Sequence, residues 1–243
     1  MDENYMQWFH NAVNALGYRQ PHRYYLRSAT RYVRTLDLAS TYVAFDEGTN
    51  VAEIGAGMLL PMLRVGAGCQ ATAYGLAEDA IWTGLEKLGI DSIEWDLHQE
   101  LPESPLRKSH DVVFLCEVIE HLCRFPIEVL VDLKKLVKPG GYLIVTTVNF
   151  LRLSNRLRVL RGQSPLIDPF KRSNDGRYHI REFTLQELAG YIQEAGFEVL
   201  EARYWRIHDD RLVARLSWPV EWLVPSLQNY MAFAARRLVS NPG

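Results

Sequence analysis

The apolar run Val51–Ile54 ends in Gly55-Ala56-Gly57, with Glu53 two residues before the first glycine. Glycines at a strand-to-helix turn let backbone approach a ligand, and the first N–H groups of the next helix offer donors to an anion. The carboxylate of a bound amino acid suits that place. Glu53 suits its ammonium, through a charge-assisted hydrogen bond. Glu53, Gly55, Ala56 and Gly57 are thus the first expected ligand contacts. A dinucleotide fingerprint would place a third glycine where Leu60 stands, which counts against a nicotinamide cofactor and the oxidoreductase chemistry it would bring.

Three further apolar runs end in polar residues. Glu78 follows Ala71–Leu76 at about the 20-residue distance at which an acid accepts from ribose hydroxyls. Asp96 and Leu97 follow Ser92–Trp95, where a carboxylate can accept from an adenine amino group and a backbone N–H can donate. Val112–Leu115 runs into Cys116, Glu117, Glu120 and His121. Ligands of open α/β sheets sit outside the carboxyl ends of the strands, so all these groups stand where a cofactor would lie.

The positioning elements follow from the alternation of short apolar runs with amphipathic stretches. Val51–Ile54, Ala71–Leu76, Ser92–Trp95, Val112–Leu115 and Tyr142–Thr147 read as strands, with helices over Ala80–Leu88 and Pro126–Val137. Such alternation predicts a mostly parallel sheet covered on both faces. Residues 3–45 read as helical, with Gly17 ending a first helix and a second from His22 to Leu36. Residues 148–181 have no sheet periodicity and read as an insertion after the fifth strand. Thr184 with Glu187 predicts a capping box opening a helix to Ala195, followed by strands over Phe197–Tyr204 and Tyr230–Arg236.

With 243 residues, 48% of them apolar, the chain can bury one sizeable core. A formal net charge of −2 disfavours general nucleic-acid binding. Cys69, Cys116 and Cys123 form no CxxC pair and lie in or beside apolar runs, so buried thiols in a reducing cytoplasm are expected. No signal peptide or membrane-spanning run is visible.

Four stretches together resemble the class I S-adenosylmethionine (SAM)-dependent methyltransferases. They are Glu53-Ile54-Gly55-Ala56-Gly57, Glu117-Val118-Ile119-Glu120-His121-Leu122, Leu136-Val137-Lys138-Pro139-Gly140-Gly141 and Ala195-Gly196-Phe197-Glu198-Val199. The resemblance implies a Rossmann-like α/β fold with a mostly parallel seven-stranded sheet and SAM as cofactor, held by Glu53, Gly55, Ala56, Gly57, Glu78, Asp96, Leu97, Cys116, Glu117 and His121. It departs at Ala77, where the family often has an acid that Glu78 would replace, and at Leu59, in place of a third glycine. It further implies residues 1–45 as a helical lid and 46–243 as the cofactor domain, with 148–181 on the substrate side.

Methyl transfer from a sulfonium needs proximity and alignment, with a base only where the acceptor loses a proton. His179, with an imidazole suited to that role, is the candidate catalytic residue. Asn149, Arg156, Tyr178 and Arg181 are expected to face an acceptor: a small molecule, a glycan or a lipid-linked group, anionic in character, modified at oxygen. The seven histidines are scattered without ligand spacing such as H-x-x-x-H, so no metal is expected.

Two basic stripes, Arg19 to Arg34 and Arg152 to Arg161, and the apolar Ser217–Pro225 stretch leave several readings open. The first stripe reads as a solvated face or a lid that holds an anionic group, the second as a cover over the active site or a face laid on an anionic membrane, and exposure of the apolar patches would point to a lipid-linked substrate or a dimer interface. A degenerate fold acting as a partner or scaffold is the alternative outside enzymes.

Overall fold

The structure, a computed structural model, describes residues 3–17, 23–55, 57–76, 82–103, 109–166, 179–207 and 219–239. Seven strands lie among them: β1 (Asn50–Ile54), β2 (Gln70–Gly75), β3 (Asp91–Glu94), β4 (His110–Cys116), β5 (Val137–Val148), β6 (Phe197–Trp205) and β7 (Tyr230–Arg237). They form one sheet in the order β3-β2-β1-β4-β5-β7-β6. β1 to β5 pair in parallel, and β7 runs antiparallel to both β5 and β6. The mostly parallel Rossmann-like sheet is therefore present, with the last strand inserted between β5 and β6 instead of standing at an edge.

Among the same residues, the helices α1 (Glu3–Ala15), α2 (Arg23–Ser40), α3 (Leu59–Ala67), α4 (Trp82–Leu85), α5 (Pro126–Leu136), α6 (Leu153–Leu160) and α7 (Leu185–Glu194) accompany the sheet. Successive residues of a strand face opposite sides, and the buried ones divide accordingly. Val51, Val112, Phe114 and Ile144 pack with Phe9, Val33, Leu36 and Leu63 of α1, α2 and α3. Ala52, Ile54, Val113, Leu115, Leu143 and Val145 pack with Leu130, Leu133, Leu188 and Ile192 of α5 and α7. The N-terminal helices thus share a core with the sheet.

Local chemistry explains several boundaries. The capping box at α7 forms as expected, with Thr184 Oγ1 accepting from Glu187 N–H at 3.2 Å and Glu187 Oε2 accepting from Thr184 N–H at 2.8 Å. Pro126 occupies the first turn of α5, where its missing N–H costs nothing. α2 runs four residues past the expected Leu36, because Leu38 and Ala39 are buried in the same core. The insertion contains α6, whose apolar residues do not all turn inward: Val159 and Leu160 are exposed. Cys69 is buried as expected, but Cys123 is exposed, because the loop between β4 and α5 carries it to the surface. No helix of the described residues is long and apolar enough to cross a membrane.

Candidate functional site

The order of strands reverses between β1 and β4, so their carboxyl ends open the crevice in which such sheets bind ligands. Glu53 stands at the end of β1, only 2% exposed. Its Oε2 accepts from the backbone N–H of Leu60 at 3.3 Å, in the first turn of α3. The start of α3 has no side-chain cap of its own, and Glu53 serves as one from the preceding strand. Burial pushes its carboxyl up to about 7, against the pull of the Leu60 and Gly57 N–H groups and the Arg31 charge.

The two glycines are required by contact. Gly55 has φ +82°, and a Cβ there would lie 2.7 Å from Cγ2 of Val118. A Cβ on Gly57 would collide with Oε1 of Glu53 and press on the Tyr32 ring. The bare backbone of this turn thus packs closely against Val118 and the buried acid.

β4 ends at Glu117, which adopts φ 57°, an uncommon conformation for a residue with a side chain. Its N–H donates to Thr146 O at 2.9 Å, its Oε1 accepts from Thr146 Oγ1 at 3.1 Å, and its Oε2 lies 3.3 Å from the guanidinium of Arg31 on α2. Burial raises its carboxyl, while Arg31 and Thr146 oppose that rise. A 3-10 turn, Ile119–His121, follows. Its Glu120 is fully buried, with Oε2 accepting from Thr147 Oγ1 at 2.9 Å and Oε1 without a partner.

The far end of the insertion docks on this turn. Ile180 and Arg181 N–H both donate to Glu120 O, at 2.8 and 3.2 Å. Docking brings His179 against His121, with ring centroids 5.0 Å apart and planes at 71°. His179 Nδ1–H donates to Glu182 Oε1 at 2.8 Å. Glu182 also accepts from Arg152 at 2.9 Å and from Asn155 Nδ2 at 2.9 Å. Burial pushes the Glu182 carboxyl up, but the bonds from His179 and Arg152, together with the Arg152 charge, outweigh it and hold it at about 2. A permanent carboxylate thus orients His179 and leaves the lone pair on Nε2.

Glu53, Gly55, Gly57, Cys116, Glu117 and His121 therefore gather around one end of β1 and β4. Asp96 and Leu97 follow β3, where Asp96 Oδ1 accepts from His98 N–H at 2.9 Å and Leu97 is 8% exposed. Ala56, Glu78 and Tyr178 lie outside the described residues.

Three residues expected to face an acceptor make bonds within the protein. Asn149 is fully buried; its Nδ2 donates to the carbonyls of Ser226 and Gln228, at 2.9 and 2.7 Å, and its Oδ1 accepts from Leu151 N–H. Arg156 joins Leu151 O to Ser226 Oγ. Arg181 lies over the Phe183 and Tyr191 rings and donates to Tyr191 Oη at 3.1 Å. Asn149 and Arg156 look available in sequence because Ser226 and Gln228 come from a distant segment.

Scattered spacing also hid a candidate metal-binding cluster. Glu120, His121 and His179 each offer a ligand atom within 4.8 Å of the others. The Arg31–Glu117 pair and the support of His179 by Glu182 were likewise unseen. Only the i,i+3 spacings Glu117/Glu120 and His179/Glu182 hinted at them.

The β1 turn fits the cofactor that the resemblance implies. Gly55 and Gly57 leave bare backbone at the end of β1, and Glu53 is a buried acid beside it, suited to an amino-acid ammonium. A family model described as "Methyltransferase domain" matches residues 23–202. The chain is 36% identical over 109 residues to a ubiquinone biosynthesis O-methyltransferase of Maricaulis maris (strain MCS10), a match spanning 42% of each chain.

Among solved structures, it resembles phosphoethanolamine N-methyltransferase 2 of Haemonchus contortus in complex with SAM. That likeness has a TM-score of 0.57 at 16% identity, covering 85% of this chain and 52% of that one. A SAM-dependent methyltransferase of Mesorhizobium loti matches at TM-score 0.56 and 13% identity, over 87% and 98% of the two chains. With the family model covering most of the chain and the buried acid in place beside the glycine turn, this protein belongs to the class I SAM-dependent methyltransferases.

Proposed function

We propose that the chain transfers a methyl group from SAM to a hydroxyl oxygen of a small-molecule, glycan or lipid-linked acceptor. The observation that carries this reading is the His179 imidazole, oriented by Glu182 and set against the 3-10 turn that leads out of β4. SAM, when bound, supplies a sulfonium methyl that an oxygen lone pair takes in one displacement while the C–S electron pair returns to sulfur. Glu53 and the glycine turn hold the amino-acid end, and Asp96 with the Leu97 N–H holds the adenine end. His179 Nε2 takes the proton that the acceptor hydroxyl gives up. The resulting imidazolium is stabilised by Glu182, the orienting carboxylate of a His–acid pair. The O-methyltransferase activity of the Maricaulis maris relative supports oxygen as the acceptor atom.

Exposed apolar side chains favour the lipid-linked end of this range. Val159 and Leu160 on α6 and Val220, Trp222, Leu223 and Val224 are all exposed, and the Arg156–Ser226 bond joins the two segments. A cavity of about 380 Å³ at the carboxyl end of β6 is lined by Arg34, Asp37, Arg203, Arg206 and Trp222, with Arg203 paired to Glu201 and Arg206 to Glu221. α1 and α2 act as the cover over the cofactor side, through Arg31.

The test is a screen for S-adenosylhomocysteine release with phenols, glycans and prenylated phenols carrying free hydroxyls. The expected outcome is turnover of one class, with His179→Ala lowering kcat at least about 100-fold while S-adenosylhomocysteine affinity is kept. Turnover only with amines, or full kcat in His179→Ala, would overturn the assignment.

A further inference from the structure

We propose that Glu120, His121 and His179 bind a divalent transition-metal cation. Their ligand atoms lie within 4.8 Å of one another, close enough for one ion to reach all three after small side-chain rotations. One carboxylate and two imidazoles form a set that suits zinc, cobalt, manganese or ferrous ions and leaves coordination positions open for other ligands.

The Glu120 carboxylate is the second observation. It is fully buried, yet its Oε1 has no partner. Buried polar atoms in native proteins are nearly all bonded, because a buried oxygen without a donor or cation loses its hydration and gains nothing in return. A cation placed between Glu120 and the two rings would supply the missing contact to Oε1.

The surroundings of His179 carry the argument further. A metal-ligating imidazole usually donates its other ring N–H to a carboxylate, which fixes the tautomer and raises the basicity of the ligating nitrogen. His179 makes that bond through Nδ1, to a carboxylate held in turn by Arg152 and Asn155. Nε2 is left as the ligand atom. On the other side, the Glu120 carbonyl accepts from both Ile180 and Arg181 N–H, so the three ligands sit on two segments bonded to each other. Such anchoring sets the ligands before any ion arrives.

The inference deepens the methyl-transfer reading, on which the role given to the ion rests. An acceptor hydroxyl at an open coordination position would lose its proton to solvent more readily, and its oxygen would be held in place for the displacement. His179 then serves as a ligand, and the ion takes over the work assigned to a free imidazole.

The experiment uses tag-free, chelator-treated protein titrated with Co2+, followed by its visible d–d absorption, with Zn2+ as competitor. One Co2+ per chain, displaced by Zn2+, is expected, with affinity at least about tenfold weaker in His121→Ala and in His179→Ala. Histidine side-chain 15N resonances of the wild type, observed on Zn2+ addition, report the ligands should a variant not fold. Shifts of two ring nitrogens are expected there.

Folded protein that takes up neither ion at millimolar concentration overturns the inference. So does binding that leaves the ring nitrogens unmoved, or that both substitutions leave unchanged. S-adenosylhomocysteine binding is measured on the same samples. Cofactor binding without metal sinks this inference alone, whereas metal binding without cofactor sinks the methyl-transfer reading instead.

Discussion

Cofactor affinity should depend on pH through Glu53. The side chain is 2% exposed, and burial raises its carboxyl to about 7 in the ligand-free protein. It faces the N–H groups that open α3, the Arg31 guanidinium on α2, the Tyr32 ring beyond Gly57 and the Cys116 thiol on β4. An ammonium bound beside Glu53 favours the carboxylate, so binding expels the proton that the free protein carries at low pH. With a free-state value of about 7, roughly 3% of the sites are ionised at about pH 5.5 and roughly 90% at about pH 8. If the bound state stays ionised throughout, S-adenosylhomocysteine binds about 30-fold more weakly at the lower pH, or about 2 kcal/mol. Linkage also gives the stability of the ligand-free protein its sign. A raised folded value contributes stability that is present below the ordinary 4.5 and is lost as pH rises through about 7. Titration calorimetry across that range, on wild type and on Glu53→Gln, is the assay. The wild type should show the slope and the amide variant should bind weakly with little slope. An equal slope in both proteins, or none in the wild type, refutes the placing of the ammonium beside Glu53.

Two further outcomes follow from buried polar groups. Asn149→Ala removes three hydrogen bonds from a fully buried side chain to partly buried backbone and should cost about 3 kcal/mol in urea unfolding; lost activity at unchanged stability would instead assign Asn149 to the acceptor. His110 is 2% exposed, accepts or donates at Nε2 with Tyr74 Oη 3.1 Å away, and is pushed down by burial to about 4. Its contribution to stability is present above the ordinary 6.5 and is lost as pH falls through about 4, a loss of up to about 3 kcal/mol that His110→Gln should not show.

What could be read from the sequence was local. The strands β1, β2, β4 and β5 carry mostly apolar, buried residues because both faces of each are covered, and such stretches announce themselves. The α7 cap rests on two residues three apart, which sequence shows directly. The apolar run Tyr230–Ala235 marks β7 as a covered strand, but its neighbours β5 and β6 cannot be read from it, since pairing depends on partners far along the chain. The same divide runs through the site. Gly55, Gly57 and Glu53 were legible because turn geometry and a strand end define them together. The meeting of His121 with His179 was not, because it needs the insertion to fold back onto the turn after β4. The bonds of Asn149 were hidden for a related reason: its partners at Ser226 and Gln228 lie far along the chain.

The acceptor side follows from how those distant segments are tied together. Glu182 links His179 to Arg152 and Asn155 of the insertion. Asn149 and Arg156 link the insertion to the turn around Ser226, which leads from the exposed Val220–Val224 segment into β7. One bonded network therefore runs from the imidazole to the exposed apolar surface, and none of these links passes through the glycine turn that suits the cofactor. In this chain, replacing Leu160 and Trp222 by polar residues should lower turnover of a prenylated acceptor and spare S-adenosylhomocysteine affinity. Steady-state kinetics with the prenylated acceptor and its tail-less analogue decide the point. A KM that rises for the prenylated compound alone assigns the exposed surface to the acceptor's tail, whereas equal changes for both compounds would remove lipid recognition from that surface.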